Sequence, residues 1–377
     1  MCNHPLHPFL VSLPKTEHHM HLEGSLSPEL LFRLSAKNNI PLPSPETDPA
    51  FSSVESLYER YSSFTSLDDF LHYYYIGFTV LVHESDFEEL AYAYLSTQSR
   101  EANLRHAEVF FDPQVHIARG ISIETIVSGW ESALQKVQKE GVDISAQLIP
   151  CFLRHLDVKD SERCLSLLLS GGFFKPPNPA EEKPSSRRLE GIGLCSTELD
   201  KPPSTWAHIF TTAKQAGITN TTAHAGEEGP AEYITAALDD LHVTRIDHGV
   251  SAADDENLMD RLAKEQVLVT VCPVSNVRLR VKQKLEQVPL RRFMEKGVRF
   301  SLNSDDPAYF GGYLQSVYCA VQEVFGFTVA QWAVIARNGV EGSWCGEERK
   351  RVLMGEVEGV VGAWAGKEEG GRLGWFS

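Results

Sequence analysis

Residues 16–24 read TEHHMHLEG. The run is a short strand-like segment that stops at a glycine. His19 and His21 are two apart, so in a strand both side chains leave the same face. Two imidazoles converging there can chelate one divalent metal. Taken by itself the pair is weak evidence and reads more readily as two buried, hydrogen-bonded histidines. His18 faces the other way on that alternation and is expected to pack behind the strand.

Seven further β-branched or apolar runs follow, at 105–111, 144–152, 189–195, 221–225, 245–249, 267–272 and 298–303. Between them lie segments such as 86–102 and 125–140, where apolar residues recur at i, i+3 or i+4, as an amphipathic helix requires. Eight strands separated by helices imply parallel pairing, and closure into a barrel is the best-known eightfold arrangement. The fold class expected is therefore α/β: a (β/α)₈ TIM barrel of the metal-dependent hydrolase type, with a helical insertion after strand 1. An open doubly wound sheet is the alternative, but no GxGxxG or GxxxxGK[ST] follows the first strand. Residues 13–345 are expected to form the catalytic barrel, preceded by an extension at 1–12. The stretch 346–377, charged and glycine-rich with one weakly helical patch, reads as an appendage. Residues 41–69 form a proline- and serine-rich excursion, and 173–188 read as an exposed polar loop.

The composition excludes several classes. With 35 basic against 51 acidic residues, the formal charge is −16. Such a surface repels phosphate backbones and lacks the counterion-release driving force for nucleic-acid binding. No apolar run approaches the roughly 18 residues of a membrane span. The start, MCNHPLHPFLVSLPK, lacks the basic and apolar regions of a secretory leader. Seven scattered cysteines form no CxxC pair, which suits buried free thiols in a reducing compartment. The expected setting is cytoplasmic, with the nucleus as a further option, and the expected partner is a small molecule.

Chemistry-bearing residues recur at the other strand ends. The fifth run ends in AHAGEEG, offering His224 as a third ligand and Glu227 on the loop beyond it, where Gly226 permits a sharp turn. A loop acid there could equally serve as a first-turn charge of the next helix. The sixth ends in RIDHG, bringing His248 to the same rim. The eighth ends in SLNSDDPAYFGGY, where Asp305 and Asp306 must point different ways; a helix cap before Pro307 is the plainer reading of that pair alone. Ionisable residues at the ends of strands one, five, six and eight are where barrel enzymes build their sites. A His₃Asp set suits zinc with an open position for water. His106-Ala107-Glu108 fits half of a zinc deaminase signature, but no PCxxC follows, and it reads as ordinary strand. HExxH and GxSxG are absent. The aromatics Phe70, Tyr73, Tyr74, Tyr75 and Phe78 are expected mostly in a helix core, with a pocket lid as the other option.

Together, TEHHMHLEGSLSPELLF, TAHAGEE, RIDHG and SLNSDDPAYFGGY resemble the signature blocks of the adenosine/adenine deaminase family, in the family's order. HLEGSL, FFDPQVHIARGI and DDPAYFGGY make the likeness greatest to its fungal and bacterial adenine deaminases. The resemblance implies that His19, His21, His224 and Asp305 hold one Zn²⁺ per chain. It implies Glu227 as proton donor to the purine N1 and His248 as the residue that orients and helps deprotonate the attacking water. Asp306 would accept a hydrogen bond at the N7 side, and a backbone amide near Ser196 would meet N3. Cys195 departs from the pattern, which usually carries an acid there.

The implied reaction is hydrolysis of adenine to hypoxanthine and ammonia, a step of purine salvage. Adenosine, or N6-substituted adenine or AMP, are the alternative substrates on the same metal site. A barrel retained only for binding is the non-enzymatic alternative. Glu23 stands where adenosine deaminases carry a shorter aspartate, so its carboxylate is expected in the volume a ribose would occupy. Serving as a cap for the helix near Ser27 is its bland alternative.

Overall fold

The computed structural model describes residues 4–174 and 188–369. Eight parallel strands form the centre: β1 (Lys15–His21), β2 (Leu104–Phe111), β3 (Ser145–Leu153), β4 (Gly193–Cys195), β5 (Thr222–Ala225), β6 (Arg245–His248), β7 (Leu268–Val271) and β8 (Phe300–Leu302). They pair in the orders β1-β2-β3-β4 and β5-β6-β7-β8. Bridges between Ile192 and Thr221 and between Met20 and Asp305 join the two halves into a ring. The expected barrel is therefore the observed one. All eight expected strands are present, each with somewhat different ends.

Every residue of β1 is buried, because one face lines the barrel and the other meets helices. The β1–β2 register shifts between Glu17 and Met20, so strict alternation fails there. Glu17 and His18 both reach outward. Tyr94 Oη donates to Glu17 Oε2 at 2.5 Å. His18 lies 3.1 Å from Ser301 Oγ and 2.9 Å from Ser343 Oγ, so it packs behind the strand as expected. Deeper in the barrel, Arg245 of β6 pairs with Glu108 of β2, both fully buried. Glu108 also accepts from the Trp344 backbone at 2.5 Å and meets His106 Nε2 at 3.0 Å.

The excursion at 41–69 holds more regular structure than its composition suggests. A 3₁₀ turn spans Pro49–Ser52, a helix spans Val54–Tyr61, and another begins at Leu67. Asp48 and Ser53 start the first two by accepting from the Ala50 and Ser56 amides, as N-caps do. The N-terminal extension contains the helix His7–Ser12, with Phe9 and Leu10 fully buried. The C-terminal stretch, expected to be weakly helical, forms the helix Glu347–Glu369. Burial of Leu353 and Val357 and the edge contact of Phe9 with Trp364 at 5.7 Å anchor it, so tertiary packing overrides the low helix propensity of its glycines. The polar loop expected over 173–188 falls largely at 175–187, outside the described residues. Among the described residues no helix is long and apolar enough to cross a membrane.

Candidate active site

Four side chains converge at the C-terminal mouth of the barrel. One donor atom each from His19, His21, His224 and Asp305 lies within 4.8 Å of the other three, and all four residues are buried. His19 Nε2 stands 3.2 Å and His21 Nε2 3.6 Å from Asp305 Oδ1. His21 Nε2 and His224 Nε2 are 3.3 Å apart. The backbone enforces the arrangement: Asp305 N donates to His19 O at 3.1 Å, and His21 N to Asp305 O at 3.0 Å. Asp305 and His248 both adopt left-handed backbone, with φ of 65° and 61°. Such conformations are uncommon for non-glycine residues and cluster at functional sites.

These donors fit a metal. His19 Nε2 is buried without a hydrogen-bond partner, and two imidazole nitrogens face each other beside a carboxylate oxygen. One shared proton satisfies one such contact, whereas a cation at the centre satisfies all four donors. Burial lowers the His21 imidazole to about 3, leaving it neutral with a lone pair. Burial opposes ionisation of Asp305, but its contacts with His19, His248 and His21 hold it well below the ordinary carboxylate value. A second grouping of His19, His248, Cys272 and Asp305 shares two of these residues. Burial pushes the Cys272 thiol far up, so it makes a poorer donor than a neutral imidazole.

Asp247 orients two of the imidazoles. His224 Nδ1 lies 3.4 Å from Asp247 Oδ2. His19 Nδ1 lies 3.0 Å from Thr270 Oγ1, which donates to Asp247 Oδ1 at 2.9 Å. Burial works to raise the Asp247 carboxyl, yet His224, His19 and Arg245 hold it below its usual range. A carboxylate behind a ligating imidazole fixes its tautomer and ring direction. Sequence reasoning passed over this residue, although it sits beside His248 in RIDHG.

Glu227 and His248 face the same cluster. Glu227 Oε2 is 3.4 Å from His248 Nε2, which is 3.8 Å from Asp305 Oδ2. Burial above all, then the Asp305, Glu198 and Glu228 carboxylates, hold the Glu227 carboxyl well above its usual range against the pull of Arg154. Burial depresses His248 strongly. Glu198, also missed from sequence, holds the loop after β5. Its carboxylate accepts from the backbone amides of Gly226 at 2.9 Å, Glu227 at 3.1 Å and Gly229 at 3.0 Å.

A small cavity opens above the cluster, with His21, His224, Glu227, His248 and Asp305 at its floor. Asp306 lines it beside the metal donors, with Oδ1 buried and unpartnered. Gly24 makes that placement possible, since a Cβ there would fall 2.1 Å from Asp306 Oδ1. Ser196 lines the cavity, with left-handed backbone at φ 74° and its hydroxyl 2.8 Å from His155 Nδ1. Phe70, Tyr74 and Tyr75 form part of the wall, so one face of the aromatic cluster serves the pocket while Phe78 stacks on His116.

Glu23 departs from its expected place. It does not line the cavity; its Oε1 meets His116 Nε2 at 2.8 Å and accepts from the Asp112 amide at 3.4 Å. The reason is local. β1 ends at His21 and Glu23 opens a 3₁₀ turn over Glu23–Ser25, so the two-residue period that aims His19 and His21 inward no longer applies. Asp112, just after β2, is a further acid lining the cavity that sequence reading did not single out.

Residues 14–360 match the adenosine deaminase family. The chain is 50% identical to an adenine deaminase of Aspergillus fumigatus over 361 residues, covering 96% of this chain and 98% of that one. It is 44% identical to an adenine deaminase of Schizosaccharomyces pombe, with coverage of 96% and 94%. The solved adenine deaminase of Arthrobacter aurescens superposes with a TM-score of 0.83 at 40% identity, covering 94% of this chain and 99% of that one.

Proposed function

The chain belongs to the adenosine deaminase family, and from that premise we propose that it hydrolyses adenine to hypoxanthine and ammonia, recycling purine base in the cytoplasm. The observation that carries this reading is the Glu227 carboxyl, 3.4 Å from His248 and turned to the four-donor cluster. Its full-length likeness to adenine deaminases supports the choice of base.

In this reading His19, His21, His224 and Asp305 hold one zinc ion. Zinc, when bound there, supplies the Lewis acidity that lets water attack C6 at neutral pH. Attack at C6 breaks the aromatic ring system unless N1 is protonated, so an acid must donate in the ring plane. Glu227 donates that proton, and burial biases the carboxyl toward its protonated form. His248 orients the attacking water and takes its proton at Nε2. The Asn276 amide lies 3.2 Å from His248 Nδ1 while its Oδ1 is buried without a partner. Turning the amide over satisfies Oδ1 with Nδ1–H and leaves Nε2 as the base. Asp306 accepts a hydrogen bond at the N7 side, and the Ser196 backbone amide meets N3.

The test is product analysis with purified, metal-loaded protein supplied in turn with adenine, adenosine, AMP and N6-methyladenine. Hypoxanthine and ammonia in equal amounts from adenine are expected. Ammonia from another of the four, with adenine untouched, would replace the reading.

A further inference from the structure

Three ring nitrogens of adenine have partners in the reading above, and N9 has none. The order of residues around the barrel mouth supplies one. Leaving C6 through N1, the nitrogens on the perimeter of adenine follow as N1, N3, N9 and N7. Glu227 follows β5, Ser196 follows β4, Asp112 follows β2 and Asp306 follows β8. The ring of strands passes from β5 through β4, β3, β2 and β1 to β8. A base bound with N1 at Glu227, N3 at Ser196 and N7 at Asp306 therefore presents N9 to the sector of β2. We propose that Asp112 pairs with ring N9 and is the residue that separates the free base from its nucleoside. The proposal rests on the deaminase reading and deepens it.

The local structure of Asp112 fits a ligand-facing role. It occupies the cap position before the helix Pro113–Ala118, yet its side chain caps nothing. It lines the cavity instead while only 2% exposed. Among the described residues its carboxyl has one hydrogen-bond partner, the Cys195 thiol at 3.6 Å, a weak donor. The Tyr74 hydroxyl, on the same wall, is buried with no partner. Behind Asp112 the volume is filled by the Glu23–His116 pair, both side chains 1% exposed or less. A sugar on N9 would point at this packed wall and remove the ring nitrogen's pairing capacity. Glu23 thus acts through Asp112, by holding its backbone amide. A carboxyl group serves either tautomer: it accepts from N9–H, or as the acid donates to N9 when the proton sits on N7.

The experiment compares kcat/KM for adenine and 9-methyladenine in wild type, Asp112→Ala and Asp112→Asn, with zinc content and Tm measured for each. Wild type should strongly prefer adenine. Asp112→Ala should lose about 10²-fold toward adenine, as removal of a buried polar partner predicts, with 9-methyladenine unchanged or improved. Asp112→Asn, which keeps the shape and offers both a carbonyl acceptor and amide donors, should fall between and covers the case in which the alanine variant folds poorly. An adenine to 9-methyladenine ratio unmoved in both variants would overturn the assignment while leaving the deaminase reading intact. No turnover of adenine by wild type would overturn both.

Discussion

The carboxylate of Glu198 accepts a hydrogen bond from the backbone amide of Glu227 at 3.1 Å. Two further amides of the same loop, from Gly226 and Gly229, bind the other oxygen of Glu198. The loop that carries the proposed proton donor is thus tied to the segment after β4. Glu198→Ala should leave three buried amides unpaired and let Glu227 drift. A displacement of about 1 Å at the reacting group can cost roughly 10²-fold. We expect kcat to fall by about that factor with zinc content and KM little changed. A kcat equal to wild type would show that the loop holds its shape without Glu198.

The metal assignment predicts linked losses. Because His21 and His224 meet at 3.3 Å beside Asp305, His21→Ala removes one of only four donors. Zinc and activity should disappear together, and chelator should inactivate the parent protein. Full turnover in protein shown by elemental analysis to be metal-free would refute the assignment.

Glu227→Gln separates proton donation from metal binding. The amide keeps the shape but cannot donate a proton to N1. The expected loss in kcat is roughly 10²–10⁴-fold or more with zinc retained. Activity kept, with only a higher KM, would make Glu227 a binding residue.

Away from the site, Asp86 predicts a pH effect on stability. Its buried carboxylate accepts from Lys37 at 2.7 Å, Asn38 at 2.8 Å, and the Val82 and His83 amides at 3.0 and 2.8 Å. Burial works to raise its pKa, but these donors hold it below 3.8 overall. A depressed folded-state pKa adds stability above the unfolded value, and that stability is lost as pH falls through the folded one. Asp86→Ala should therefore destabilise by about 2–4 kcal/mol at neutral pH, since it strands buried donors. The gap between variant and wild type, read by denaturant melts, should shrink toward pH 3. A gap constant with pH would assign the loss to packing alone.

The barrel was legible because its strands are short, apolar and regularly spaced, and the convergence of His19, His21, His224 and Asp305 because they fall at or just after strand ends. What escaped depends on contacts that no local pattern encodes. Asp112 stands before Pro113, where an acid reads as a helix cap, and only the fold turns it to the cavity. Glu198 serves amides 28 to 31 positions away. Glu23 was placed from the resemblance, which aligns it with an aspartate that meets a ribose, whereas here a 3₁₀ turn over Glu23–Ser25 accompanies its pairing with His116. The tail was read as only weakly helical, and the extent of its helix was not foreseen because Leu353 and Val357 become buried only in the folded chain.

The central claim, that this site acts on a free purine base, is tested most directly by kcat/KM for adenine against adenosine in the same zinc-loaded preparation. A buried polar wall facing N9 predicts a preference for adenine of about 10²-fold or more. Equal or higher values for adenosine would contradict the account.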